Sequence, residues 1–166
     1  MKKIILSFLS VIAFVSCSKA QKTTFSPEAL ASNLSDINGN PVSFADIIKK
    51  HQGKTVVIEV WASWCGDCVK AMPKLKELQA AHPEVDYVFL SADKTTEKWK
   101  AGIEKHELKG DQYLIIDGGM KGEFGKSIDL DWIPRYIILD KSGKILTYRA
   151  IETDFEQIHN TLKSQQ

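Results

Sequence analysis

The chain has 166 residues, enough for one domain with a full hydrophobic core, and no internal repeat or low-complexity block marks a second. Its 22 Lys and Arg against 21 Asp and Glu leave a formal charge of +1, which gives no electrostatic footprint for nucleic acid or an anionic surface. It holds three cysteines. Met1-Lys2-Lys3 is a basic start, and the apolar run Ile4 to Val15 that follows is too short to cross a bilayer, which takes about 20 residues. The pattern reads as a secretory signal peptide over residues 1–16 rather than as the first element of a cytosolic domain. Its removal takes two of the 22 basic residues and no acid, so the 21 acidic residues then outnumber the basic ones by one.

Ser16-Cys17 closes the apolar run, and polar Ser18-Lys19-Ala20-Gln21-Lys22 follows. This boundary resembles the lipobox of bacterial lipoproteins, in which the cysteine after the cut is acylated; Phe14 stands where Leu or Val is usual. The resemblance implies lipidation of Cys17, the other reading being an ordinary cleavage nearby that leaves a free thiol. Acyl chains contribute about 0.8 kcal/mol per buried methylene, so several on one cysteine hold a domain at a membrane. Residues 17–29, ending near Ser26-Pro27, read as a tether, and 30–166 as the domain.

Asn38-Gly39, between Asn33-Leu34-Ser35 and Pro41-Val42-Ser43, predicts a hairpin, and Phe44 to Lys50 a short helix. Thr55 to Ala62 is almost entirely β-branched or apolar, as a central strand covered on both faces requires. From Cys65 onward Cys68, Met72, Leu75 and Leu78 recur at helical spacing, with Pro73 expected to kink that helix. Val85 to Ser91 predicts a buried strand, Thr95 to His106 a helix and Gln112 to Asp117 a third strand, before a Gly-rich stretch to Ser127. Arg135–Asp140 and Lys144–Arg149 form a second hairpin across Ser142-Gly143. A last helix spans Asp154 to Lys163, with Thr153 or Asp154 as its cap. Strands alternating with helices, then a hairpin and a final helix, predict an α/β sandwich with a mixed sheet.

The chemistry centres on Trp64-Cys65-Gly66-Asp67-Cys68. A Cys-x-x-Cys where a strand gives way to a helix puts the first cysteine at the helix head, where unpaired amides and the helix dipole favour an anion. Such sites draw a cysteine pKa down from about 8.5 toward 7 or below, and the thiolate is the nucleophile. Cys68, about one turn on, can close on Cys65 with little backbone movement. Cys65 is then the exposed attacker and Cys68 the buried thiol that resolves a mixed disulfide. A zinc site would need a second Cys or His pair at ligand spacing, whereas His51, His82, His106 and His159 are scattered singly. A structural staple across so small a loop would stabilise little.

The segment Val60-Trp61-Ala62-Ser63-Trp64-Cys65-Gly66-Asp67-Cys68, with Met72-Pro73, resembles the active-site segment of thioredoxin-like proteins. Within them it is most similar to the membrane-anchored TlpA/ResA-like reductases of bacteria. The resemblance continues through Val88 to Asp93 and Trp132 to Lys144, and covers the chain from about Leu34 to Ile151. It implies a thioredoxin-like sandwich with a mixed central sheet, an N-terminal hairpin and the family's β-α insertion.

Further residues follow from it. Ile133-Pro134 matches the family's cis-proline, which lies beside the disulfide and offers backbone to a substrate strand. Glu59 falls where thioredoxins place a buried acid behind the cysteines. Independently, a lone carboxylate in an apolar strand is costly unless used, and burial raises its pKa toward the range where it exchanges protons with Cys68. The other reading has Glu59 at a strand end, paired with a lysine. ResA-like relatives often carry a glutamate three residues after the second cysteine; that position is Ala71 here. Asp67 stands where Pro is usual, and its charge should oppose a Cys65 thiolate. Arg135 replaces a common Thr; it offsets Asp67, selects an acidic partner or is a plain surface arginine. Trp64 and Trp132 flank the sulfur or pack in the core.

The resemblance thus implies a lipid-anchored thiol:disulfide oxidoreductase facing the periplasm in the cell envelope. It would reduce disulfides of exported proteins, apocytochrome c among the family's substrates, with electrons from a membrane donor. No cofactor, metal or nucleic acid is called for, and the protein is expected to be a monomer. The alternatives are a disulfide oxidase or isomerase, and a Sco-like copper chaperone, which uses three residues between its cysteines and a distant His.

Overall fold

The computed structural model describes residues 21–166. The expected signal peptide and Cys17 lie outside them.

The chain enters beside the sheet, with the Thr23 carbonyl accepting from Ile145 N at 2.9 Å and the Gln21 side chain donating to Leu146 O. Phe25 is buried edge-on against Phe44, with ring centroids 4.8 Å apart. Ser26 then caps α1 (Pro27–Ala31), its hydroxyl accepting from Ala29 N at 3.2 Å and Pro27 occupying the first turn. The expected tether is therefore folded from Thr23 onward, because Phe25 and Ala29 are core residues that a polar reading of the segment passed over.

β1 (Asn33–Ser35) and β2 (Pro41–Ser43) form the expected hairpin, with Gly39 at φ 89°. The Asp36 carboxylate accepts from the amides of Asn38 and Asn40 across the turn. Ser43 caps α2 (Phe44–Lys50). β3 (Val56–Trp61) has all six residues buried and leads into α3 (Gly66–Ala81), which runs through Pro73 without interruption. β4 (Asp86–Ser91), α4 (Thr96–His106) and β5 (Asp111–Ile115) follow. The Gly-rich stretch holds a 3₁₀ turn at Gly119–Lys121 and the short α5 (Glu123–Ser127). β6 (Arg135–Leu139), β7 (Ile145–Ala150) and α6 (Phe155–Lys163) complete the chain. Neither Thr153 nor Asp154 caps α6 through its side chain; Asp154 instead accepts from Ile151 N at 2.9 Å.

The seven strands form one mixed sheet in the order β2-β1-β5-β4-β3-β6-β7. β3, β4 and β5 are parallel neighbours, while β6 runs antiparallel to both β3 and β7. The strand richest in β-branched residues takes the position with a partner on each side, as a fully covered strand should. α3 packs with α6, and α1 touches both α2 and α5. A run of edge-on rings, Phe25 to Phe44 and Phe44 to Phe124, stitches the latter group together. The sheet thus delivers the end of β3 and the start of α3 to one place, with the loop preceding β6 beside them.

Candidate active site

Cys65 is the N-cap of α3, with extended backbone at φ −80° and ψ 110°, and its sulfur accepts from Cys68 N at 3.1 Å. The two cysteines are joined as a disulfide, their Cα atoms 5.3 Å apart. Cys65 retains 6% exposure and Cys68 none. Both cysteines are buried, but unequally: Cys65 keeps a small exposed edge and Cys68 none, the asymmetry expected of an attacking and a resolving thiol. The Cys68 amide in the first turn of α3 points at the Cys65 sulfur, the placement that stabilises a thiolate once the bond is reduced.

The Cys65 sulfur also lies 3.5 Å from the carbonyl oxygen of Ile133. The Ile133-Pro134 peptide is cis, and both residues are buried. Trp64 and Trp132 are exposed by 58% and 50%, so neither packs in the core. They present apolar surface on the two segments that meet at the sulfur. Asp67 lies in the first turn of α3, 3.6 Å from Lys70, which partly answers its charge.

Glu59 stands in the middle of β3, 1% exposed, opposite Tyr136 of β6 in register. The Tyr136 hydroxyl donates to its Oε1 at 3.3 Å, and Oε2 has no hydrogen-bond partner among the described residues. Burial pushes the Glu59 carboxyl up to about 8, against a smaller opposing pull from the tyrosine hydroxyl. No lysine pairs with it among the described residues, so the strand-end ion pair is not what holds it.

Arg135 is turned inward. It is 2% exposed, pairs with the Asp131 carboxylate and donates to the Asp129 carbonyl at 3.5 Å. Arg149 reaches the other oxygen of Asp131, so two guanidiniums bracket the segment leading to Ile133. The expectation of a plain surface arginine is corrected by this burial, and the carboxylate it pairs with is Asp131. An arginine at the head of a strand whose five residues are all buried needs a partner within reach, and the Asp131 carboxylate at the loop surface supplies it.

Other relationships could not be read from spacing. Ser63 and Asp93 are bonded across 30 residues, and His82 and His159, taken singly in sequence, meet with Nε2 and Nδ1 3.0 Å apart. His51 Nδ1 lies 2.8 Å from Asp86. The one signal for the Asp93 contact was an acid two residues after an apolar strand.

A disulfide at a helix head, its outer sulfur beside a proline loop and a buried acid in the adjoining strand, on a thioredoxin-like sheet, defines a thiol–disulfide oxidoreductase. Comparison with known proteins agrees. A family model described as Redoxin matches residues 19–162, and the chain belongs to that family. The thiol-disulfide oxidoreductase ResA of Bacillus cereus (strain ATCC 10987 / NRS 248) is 30% identical over 148 residues, covering 88% of this chain and 81% of the relative. The thioredoxin domain of a thiol-disulfide oxidoreductase from Bacteroides vulgatus superposes with a TM-score of 0.67 at 25% identity, covering 87% of this chain and 96% of that domain. A secreted Mycobacterium tuberculosis disulfide oxidoreductase homologous to E. coli DsbE shares the fold, with a TM-score of 0.64 at 19% identity over 84% of this chain and 99% of that one.

Proposed function

We propose that this oxidoreductase works in the reducing direction, opening disulfides of exported proteins in the cell envelope while anchored to a membrane through Cys17. The observation that carries the reading is the asymmetric pair itself: Cys65 at the head of α3 with a small exposed edge, Cys68 sealed behind it, and an acid buried in the adjoining strand.

In the first step the Cys65 thiolate attacks one sulfur of a client disulfide, forming a mixed disulfide and releasing the other client sulfur as a thiolate. Cys68 then passes its proton to the Glu59 carboxylate and attacks the Cys65 sulfur. The client leaves with both sulfurs reduced, and Cys65–Cys68 is left oxidised. Two electrons from a membrane dithiol donor restore the pair. In that return step protonated Glu59 supplies the proton that the departing Cys68 thiolate takes up. Trp64 and Trp132 offer apolar contact to an unfolded client segment, and the Ile133 carbonyl lies close enough to the sulfur to meet client backbone. Apocytochrome c, whose paired cysteines must be reduced before haem attachment, is the client class the family resemblance favours.

The anchor is supported by the basic start, the apolar run and Cys17 at its polar boundary. No helix among the described residues is long and apolar enough to cross a membrane.

The deciding measurement is the reduction potential together with a trap. A potential near about −270 mV supports reduction, and one near about −120 mV assigns the oxidising direction instead. The Cys68→Ser variant, expressed in its envelope, should accumulate mixed disulfides at Cys65. Their absence under conditions where the protein is reduced would sink the client-reducing role.

A further inference from the structure

Between the end of β3 and the nucleophile lie only Ala62, Ser63 and Trp64. The Cys65 amide closes this turn onto the Ala62 carbonyl at 3.1 Å. Ser63 is gripped twice by one side chain: its amide donates to Asp93 Oδ2 at 2.9 Å and its hydroxyl to Asp93 Oδ1 at 2.7 Å. Asp93 sits two residues beyond β4 and is 3% exposed. Ser91 completes the set, donating from its hydroxyl to Oδ2 at 2.9 Å and accepting from the Asp93 amide at 3.0 Å.

Three donors thus converge on a buried carboxylate, and no cationic side chain pairs with it among the described residues. An acid held so deep without a counter-charge is expensive. Charge-assisted hydrogen bonds offset that cost, and two of the three come from the residue two places before the nucleophile. From another direction the backbone of α4 is seated on the same serine. A Cβ at Gly102 would stand 2.7 Å from Ser63 Cβ and 3.0 Å from Trp61 Cη2. Ser63 is therefore wedged between a carboxylate at the exit of β4 and a bare helix backbone. Its main chain has little room to turn, and its direction decides how Cys65 enters α3.

We infer that Asp93 is a positioning residue for the nucleophile: by gripping both the amide and the hydroxyl of Ser63 it fixes where the Cys65 sulfur stands at the head of α3, against the Ile133 carbonyl. The inference rests on Cys65 being the attacking thiol. Asp93 touches neither client nor sulfur; it acts through two residues of backbone. Asp93 ties the active-site turn to the end of β4, and Gly102 seats α4 on the same serine, so both elements take part in setting the geometry of the reacting atom.

The test needs no client. The reduced protein is alkylated with iodoacetamide and the modified cysteine identified by peptide mapping, for wild type, Asp93→Ala, Asp93→Asn and Ser63→Ala, all well below their measured melting temperatures. Loss of the grip should slow Cys65 alkylation on the order of tenfold in Asp93→Ala. Ser63→Ala, which keeps the amide bond, should slow it less, and Asp93→Asn, with the same shape and one remaining acceptor, should recover part of the rate. A rate equal to wild type in Ser63→Ala and Asp93→Ala overturns the inference, and Ser63→Ala alone decides it should Asp93→Ala not fold. Alkylation of Cys68 ahead of Cys65 in the wild type is a different failure, which overturns the assignment of the nucleophile.

Discussion

The Tyr136 hydroxyl donates to Glu59 Oε1 at 3.3 Å across two neighbouring strands, and Glu59 Oε2 is left with no partner among the described residues. One oxygen of the acid is thus held in place while the other stays free to gain or lose a proton. Phe155 of α6 packs edge-on against the Tyr136 ring, with centroids 5.3 Å apart, and so fixes the donor as well.

The stability of the domain should fall with rising pH because of this acid. Its folded-state pKa, about 8, lies above the ordinary 4.5, so the folded state binds more protons than the unfolded chain between those values. Protonated Glu59 is tolerated below pH 4.5, and the stabilisation is lost as pH rises through 8. At about 1.4 kcal/mol per pH step, the group's full effect is a few kcal/mol. Urea unfolding of wild type and Glu59→Gln from pH 5 to 9 checks this: the variant should gain relative to wild type as pH rises. Parallel curves would contradict it.

Turnover should carry the same signature. In the proposed relay Glu59 takes a proton from Cys68 only when ionised, so client reduction should rise with pH toward 8 and level off above it. Glu59→Gln should lower the resolving step on the order of a hundredfold and remove that inflection. Tyr136→Phe keeps the ring against Phe155 but takes away the donor that favours the ionised acid, so its inflection should move to higher pH. Stopped-flow decay of a preformed mixed disulfide reads all three.

Arg135 should matter to stability rather than to choice of client. Arg135→Ala leaves a void behind the loop and strips Asp131 of one of its two guanidiniums, at a cost of roughly 2–4 kcal/mol in thermal or chemical unfolding. Arg135→Met, which fills the space, should recover much of that. Rates toward acidic and basic test peptides should change by the same factor in either variant; a selective loss with acidic peptides would restore a recognition role.

A helix usually gains about 1 kcal/mol when an interior glycine becomes alanine. In α4 the sign should reverse, because the added methyl of Gly102→Ala meets Ser63 and Trp61 at separations that force a shift. Overpacking of this kind costs about 1–3 kcal/mol. A melting temperature equal to or above that of wild type would show that α4 can move away from the turn freely.

Much of the fold is legible along the chain because its signals are local. The apolar run of β3, the Asn38-Gly39 turn and the change of period at Cys65 each sit within a few residues of what they predict. The Cys65–Cys68 pair is visible for the same reason. What stayed hidden depends on distance in sequence. Phe25 reads as part of a polar segment until Phe44 covers it. Arg135 reads as solvent-facing until its side chain is seen folded under the loop, donating to the Asp129 carbonyl and reaching Asp131 at the surface. Asp93 and Ser63 are 30 residues apart, and only the parallel pairing of β3 with β4 brings them together.

The seat of the N-terminal segment has a consequence for how the domain keeps to itself. β7 is the last strand of the sheet, and its outer edge offers backbone groups on which another chain could pair. The Thr23 carbonyl and the Gln21 side chain occupy Ile145 N and Leu146 O on β7, and Lys22 is held nearby by Asp129. A few residues of extended chain thus blunt an edge that would otherwise template edge-to-edge association. A chain begun at Phe25 would bare that edge, and self-association there is its expected failing.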